Sequence, residues 1–167
     1  LMASSPRVIN VVSGGMYSQA LNVEQLLAPD TPAYSGSEAY ARQKRALMVL
    51  TQQWAADGEG EGIVVNAMHP GWADTPGVRS ALPQFRKLTR HVLRSSEEGA
   101  DTIVWLAVAT EAGSVSGKLF LDRAEHTVHL LSKTKGSRQE TEKLMDFLSS
   151  NRTSIDAAQR ASAFVET

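Results

Sequence analysis

Two short apolar runs, Arg7-Val8-Ile9-Asn10-Val11-Val12 and Ile63-Val64-Val65-Asn66-Ala67-Met68, stand on either side of one long helical pattern. This order constrains the fold more than any other feature of the chain. Strands that are apolar along their whole length belong to parallel sheets covered by helices on both faces. Two such strands joined through a helix form a right-handed crossover. Such a run normally has a neighbour on each side, but almost nothing precedes this one, so Val8 to Val12 are expected to leave an open, apolar edge. A third short strand is expected from Ser116 to Asp122, entered through Gly117. The fold class is α/β.

The helix between the first two strands starts with Ser35-Gly36-Ser37-Glu38, which fits a capping box. Asp57-Gly58 supplies its stop, with the glycine expected in the left-handed position past the last turn. At about 3.6 residues per turn, Tyr40 and Lys44 lie one above the other. Tyr40, Lys44, Leu47, Thr51 and Trp54 share one stripe, with Arg42 and Arg45 well away from it, so Lys44 is the cation that partners the phenol. An ammonium about 4 Å away interacts with a phenolate by roughly 4 kcal/mol in a partly desolvated cleft, which makes the pair a candidate acid/base unit. Taken alone, Tyr and Lys at this spacing more often form an amphipathic pair without chemistry.

The ends of the strands add to it. Open α/β sheets place ligands at the carboxyl ends of their strands. Ser13-Gly14-Gly15 follows the first strand, and His69-Pro70-Gly71-Trp72-Ala73-Asp74-Thr75 follows the second. The serine and glycines alone read as a turn. Pro70 and Gly71 force another, so His69 reads as a structural turn residue, while Thr75 offers a hydroxyl and an amide to a ligand. Met16 to Tyr34 reads as a long loop with one short helix, and a loop of that length is usually functional. Val78 to Leu93 reads as a helical flap, with Arg79, Arg86, Lys87, Arg90 and Arg94 on a solvated face. Ser95 to Glu98 caps a further helix with a strongly buried face expected from Ala100, Ile103, Val104, Leu106, Ala107 and Val108, and a polar amphipathic helix starts near Ser137.

Composition removes several alternatives. The 167 residues suggest one domain, with positions 1–149 as its body and 150–167 as a helical or disordered tail. A net charge of −1, without aromatic residues among the basic ones, argues against a nucleic-acid surface. The absence of cysteine removes disulfides, thiol nucleophiles and thiolate metal sites. No apolar run approaches the roughly 20 residues needed to span a bilayer, and LMASSPR lacks a signal-peptide core, so a cytoplasmic location is expected.

RVINVVSGG, then YARQK, then NAMHPGWADTPGV, in that order, resembles the short-chain dehydrogenase/reductase superfamily, and the long interval between Ser13 and Tyr40 looks like its retinol-dehydrogenase-like subgroup. The resemblance implies a hydride transfer between NAD or NADP and a small carbonyl or alcohol substrate. Tyr40 would exchange a proton with the substrate oxygen, and Ser13 would hydrogen-bond that oxygen. Lys44 would favour the phenolate and hold the nicotinamide ribose, with Pro70, Gly71 and Thr75 bordering the cofactor. The family's glycine-rich pyrophosphate motif, its NAD-versus-NADP residue and its catalytic asparagine have no counterpart in the chain. The expected architecture is thus the C-terminal half of a Rossmann-type doubly wound sheet, three strands with flanking helices, lacking the dinucleotide-binding half. The alternative is a catalytically inactive fragment acting as a binding or dimerisation module; either form would suit a homo-oligomer.

Overall fold

The structure, a computed structural model, describes residues 6–28, 34–73 and 93–163. Its centre is a four-stranded sheet in the order β1-β2-β3-β4, formed by Arg7–Val11, Val64–Met68, Leu119–Leu121 and Ala124–His126. The first three strands are parallel, and β4 runs antiparallel to β3. The β-branched residues of β1 and β2 suit this extended, pleated geometry. Their register matches Arg7 with Val64 and Val11 with Met68.

Helices cover both faces of the sheet. On one lies α2, Gly36–Asp57, where Met48 packs with Val12, Met16, Ala67 and Leu119. On the other lies α3, Ser96–Val108, where Leu106 packs with Met68, Ala112 and Phe120. The neighbours Ala67 and Met68, like Leu119 and Phe120, point to opposite faces, as the period of a strand requires. A third cluster joins α1, Val23–Leu27, through Val23 to Ala46 of α2 and to Leu144 of α4, Arg138–Ala163. Among the described residues, no helix is long and apolar enough to cross a membrane.

Among the described residues β1 lies at the sheet edge, the open, apolar edge expected of it, with Val8 38% and Val11 40% exposed. Four expectations change. Of the buried face expected of α3, Leu106 is buried, whereas Ala100, Val104, Ala107 and Val108 are exposed. The third strand is limited to Leu119–Leu121, and the sheet gains a fourth. The β3–β4 hairpin turns on Asp122 and Arg123, both at positive φ, a conformation usually reached through glycine or asparagine. Their side chains meet Arg94 and Asp101 in forked ion pairs, which help to hold the turn. Gly58 closes α2 at φ −85°, outside the left-handed region, and the positive-φ glycines of that loop are Gly60 and Gly62. Ser35 does cap α2 by accepting from the Glu38 amide, but Glu38 turns to Arg42 at 2.9 Å, so only half of the expected box forms. The full reciprocal box is at Ser95 and Glu98. The expected flap from Val78 falls almost wholly outside the described residues.

Candidate active site

The Tyr40–Lys44 pair lies in the first turns of α2. Lys44 Nζ donates to the carbonyl of Val11, the last residue of β1, at 2.9 Å. The same ammonium stands 5.6 Å from the centre of the Tyr40 ring, within reach of a cation–π attraction. One side chain thus joins the carboxyl end of the strand to the phenol. Tyr40 itself is 48% exposed, open to a molecule approaching from solvent.

Ser13 lies two residues beyond Val11 with extended backbone, and caps the 3₁₀ turn Gly14–Ser18. Its Oγ accepts from the Gly15 amide at 3.3 Å. A Cβ added at Gly15 would stand 3.7 Å from Ser13 Oγ and 3.7 Å from the methyl of Ala41. The serine hydroxyl and the residue after Tyr40 therefore flank one atom-sized position. Asn10 further pins β1 to α2 by donating to Thr51 at 2.9 Å.

The second strand ends alongside. Val12 N donates to Met68 O at 2.8 Å, so Ser13 and the His69-Pro70-Gly71 turn leave neighbouring strands at the same edge. His69 is buried edge-on to Tyr17, and its Nδ1 accepts from the Gly71 amide at 3.2 Å. That bond needs Nδ1 without a proton. Burial holds the imidazole below its ordinary value, and His126 and Arg94 push it the same way against Asp122. His69 is thus a neutral brace of the turn, as its neighbours in sequence suggest. Gly71 has φ +70°, with the Arg94 guanidinium against it. Arg94 also joins Ala73 in a parallel bridge and holds Asp122, whose carboxyl is kept below the usual range by that contact. Thr75 lies outside the described residues.

Arg45 is the residue that sequence reasoning passes over. The helical projection sets it away from Tyr40, and arginine is almost never fully buried unless paired. In the structure it is 0% exposed. The buried stripe of α2 runs through Ala41, Arg45, Met48, Thr51 and Ala55, one position round from the stripe that carries Tyr40 and Lys44. The only signal for this is the small residues at Ala41 and Ala55 framing the arginine.

At this edge Ser13 and Lys44 retain hydrogen-bonding capacity. Ser13 Oγ uses an acceptor position on Gly15, which leaves its own proton to give. Lys44 uses one of three N–H donors on Val11, leaving two for ligand hydroxyls. This donor set suits a polyhydroxylated cofactor beside a carbonyl or alcohol oxygen.

The family described as Enoyl-(Acyl carrier protein) reductase matches residues 28–122. Dehydrogenase/reductase SDR family member 12 of Homo sapiens is 46% identical over 145 residues, covering 86% of this chain and 45% of the relative. Retinol dehydrogenase 14 of Mus musculus is 33% identical, covering 75% of this chain and 39% of the relative. The chain thus spans less than half the length of these curated relatives. A solved structure from Beutenbergia cavernae, described as an NAD(P) dependent gluconate 5-dehydrogenase with bound NADP at low occupancy, superposes with a TM-score of 0.53 at 21% identity. It covers 70% of this chain and 43% of that one, and establishes a shared fold.

Proposed function

Because the chain belongs to the short-chain dehydrogenase/reductase family, we propose that it carries the acid/base centre of an NAD(P)-dependent oxidoreductase acting on small carbonyl or alcohol compounds. The observation that carries this reading is Lys44, bonded to the end of β1 while its ammonium stands over Tyr40. In the reductive direction the Tyr40 hydroxyl gives its proton to the substrate oxygen. Ser13 donates a hydrogen bond to the same oxygen as negative charge gathers there. Lys44 favours the phenolate left behind through its positive charge. When bound, the nicotinamide supplies or accepts the hydride. The two uncommitted Lys44 donors would hold ribose hydroxyls, and Pro70, Gly71 and Thr75 would border the cofactor.

The test is nicotinamide oxidation in the presence of a panel of aldehydes and ketones, with Tyr40→Phe beside the parent. Losing the acid/base group is expected to lower turnover by at least about 100-fold, with the circular-dichroism spectrum unchanged. Turnover that survives Tyr40→Phe refutes the reading. The 167-residue chain by itself is expected to turn over far more slowly than a full-length relative. One observation favours a second reading, a binding or dimerisation module without turnover: the edge of β1, unpaired among the described residues, with Val8 and Val11 exposed. Sedimentation as a dimer, with neither nicotinamide binding nor turnover, would favour that module instead.

A further inference from the structure

Arg45 makes four hydrogen bonds, all to backbone carbonyls. Its Nε donates to Met16 O at 3.2 Å and to Gln19 O at 3.0 Å, its Nη2 to Met16 O at 2.9 Å, and its Nη1 to Val128 O at 3.1 Å. Met16 belongs to the 3₁₀ turn capped by Ser13, and Gln19 closes it. Among the described residues no carboxylate pairs with this charge. Burial lowers the affinity of Arg45 for its proton, and only Tyr17 opposes that; the guanidinium remains charged regardless.

A turn of this kind is weakly self-supporting. It spans five residues, begins with two glycines, and rests internally on the bonds Met16 N to Ser13 O and Gln19 N to Met16 O. Gly14 has nothing packed where a side chain would be. Its neighbour α2, by contrast, is 22 residues long and anchored to β1 through Lys44 and Thr51. The guanidinium plane is suited to bridging two carbonyls of the turn and one beyond β4, and a lysine ammonium cannot reproduce that fork. Tyr17 adds a second stitch to the same segment by donating to Thr127 O at 2.8 Å.

We propose that Arg45 is a positioning residue for the acid/base centre: by holding Met16 and Gln19 it fixes the turn that carries Ser13, and so sets the Ser13 hydroxyl against the Tyr40 end of α2. This rests on the roles proposed for Ser13 and Tyr40 above. Lys44 and Arg45, adjacent on the helix, then grip the strand end and the following turn on either side of Ser13.

The test compares the parent, Ser13→Ala, Arg45→Lys and the double variant. Arg45→Lys keeps a cation while removing the fork, and is preferred to Arg45→Met, which strands buried carbonyls. Misplacing a reacting group by about 1 Å costs on the order of 100-fold, so Arg45→Lys is expected to lower kcat by about that factor with little change in KM. The loss should vanish in the Ser13→Ala background, because the turn then has no hydroxyl to place. Full multiplication of the two losses, or parent-like kcat in Arg45→Lys, overturns the proposal. Hydrogen–deuterium exchange reads the tether without turnover: residues 13–19 should exchange about tenfold faster in Arg45→Lys while β2 and β3 keep their protection. Unchanged exchange in the turn, or acceleration throughout the sheet, overturns it as well. A parent protein without Tyr40-dependent turnover counts against the proposed function, and the exchange result still decides what Arg45 holds.

Discussion

Gly71 and Gly62 make a matched pair. Both sit in the left-handed region, at φ +70° and +72°. Alanine at either position meets the same backbone penalty, about 1 kcal/mol. Their surroundings differ. Nothing lies within 4 Å of a Cβ built at Gly62, whereas one built at Gly71 would stand 2.9 Å from both Cζ and Nε of Arg94. To admit it, the guanidinium must draw back by about 0.5–1 Å from ordinary carbon contact distances. That movement loosens the forked pair with Asp122, whose outer bond is 2.7 Å. Arg94 and Asp122 are both partly exposed, so losing the pair costs no more than about 1 kcal/mol.

Gly62→Ala should therefore destabilise by about 1 kcal/mol and Gly71→Ala by about 2 kcal/mol. For a domain of this size these losses correspond to melting points lower by about 2–4 °C and 4–8 °C respectively. Urea or thermal unfolding followed by circular dichroism resolves that difference. In an Arg94→Ala background the extra loss at Gly71 should disappear. Equal losses at the two glycines, or an undiminished Gly71 effect without Arg94, would refute the claim that Arg94 is what the Pro70–Gly71 turn packs against.

His69 gives a pH prediction. Its folded value lies below the ordinary 6.5, so above that pH it is neutral in both states and contributes nothing to the dependence. As pH falls below 6.5 the unfolded chain takes up a proton that the folded chain resists, and stability declines until the folded value is passed. His129, also lowered chiefly by burial, adds to the same trend. Asp122, lowered from 3.8, acts only at more acid pH. Urea midpoints between about pH 7 and 5 should fall in the parent and fall less in His69→Gln; identical slopes would remove His69 as the cause. On α3, Leu106→Ala should cost about 3 kcal/mol because Leu106 is 1% exposed. Val108→Ala, at a position 72% exposed, should stay within about 0.5 kcal/mol of the parent. Equal effects in unfolding titrations would contradict the placement of α3 on the sheet.

The strand–helix–strand unit was legible because its signals are local and repeated. Continuous apolar runs marked β1 and β2, serine caps marked the helix starts, and the four-residue spacing put Tyr40 and Lys44 on one face. The open edge of β1 was legible too, because the motifs of the strands that would pair with it have no counterpart in the sequence. Not legible was β4, whose Ala124-Glu125-His126 is exposed throughout and carries no alternation. Its turn relies on Asp122 and Arg123 at positive φ, supported by partners 28 and 22 residues away. Only tertiary contacts reveal such a turn.

Arg45 shows why part of the candidate site escapes sequence pattern altogether. Lys44 and Arg45 are consecutive, about 100° apart around the helix, and both bind main-chain oxygens of the segment that holds Ser13. A carbonyl is present at every position, so these contacts place no demand on the side chains of Val11, Met16, Gln19 or Val128. No complementary charge or spacing therefore announces the partner. What distinguishes Arg45 from a solvated arginine is the rotation of the buried stripe onto Ala41, Met48 and Ala55, which follows from how α2 lies on the sheet. The Tyr40–Lys44 pair can be read from one helix; the contacts of Arg45, the group proposed to hold Ser13 beside it, depend on the packing of that helix against β1 and the segment beyond β4.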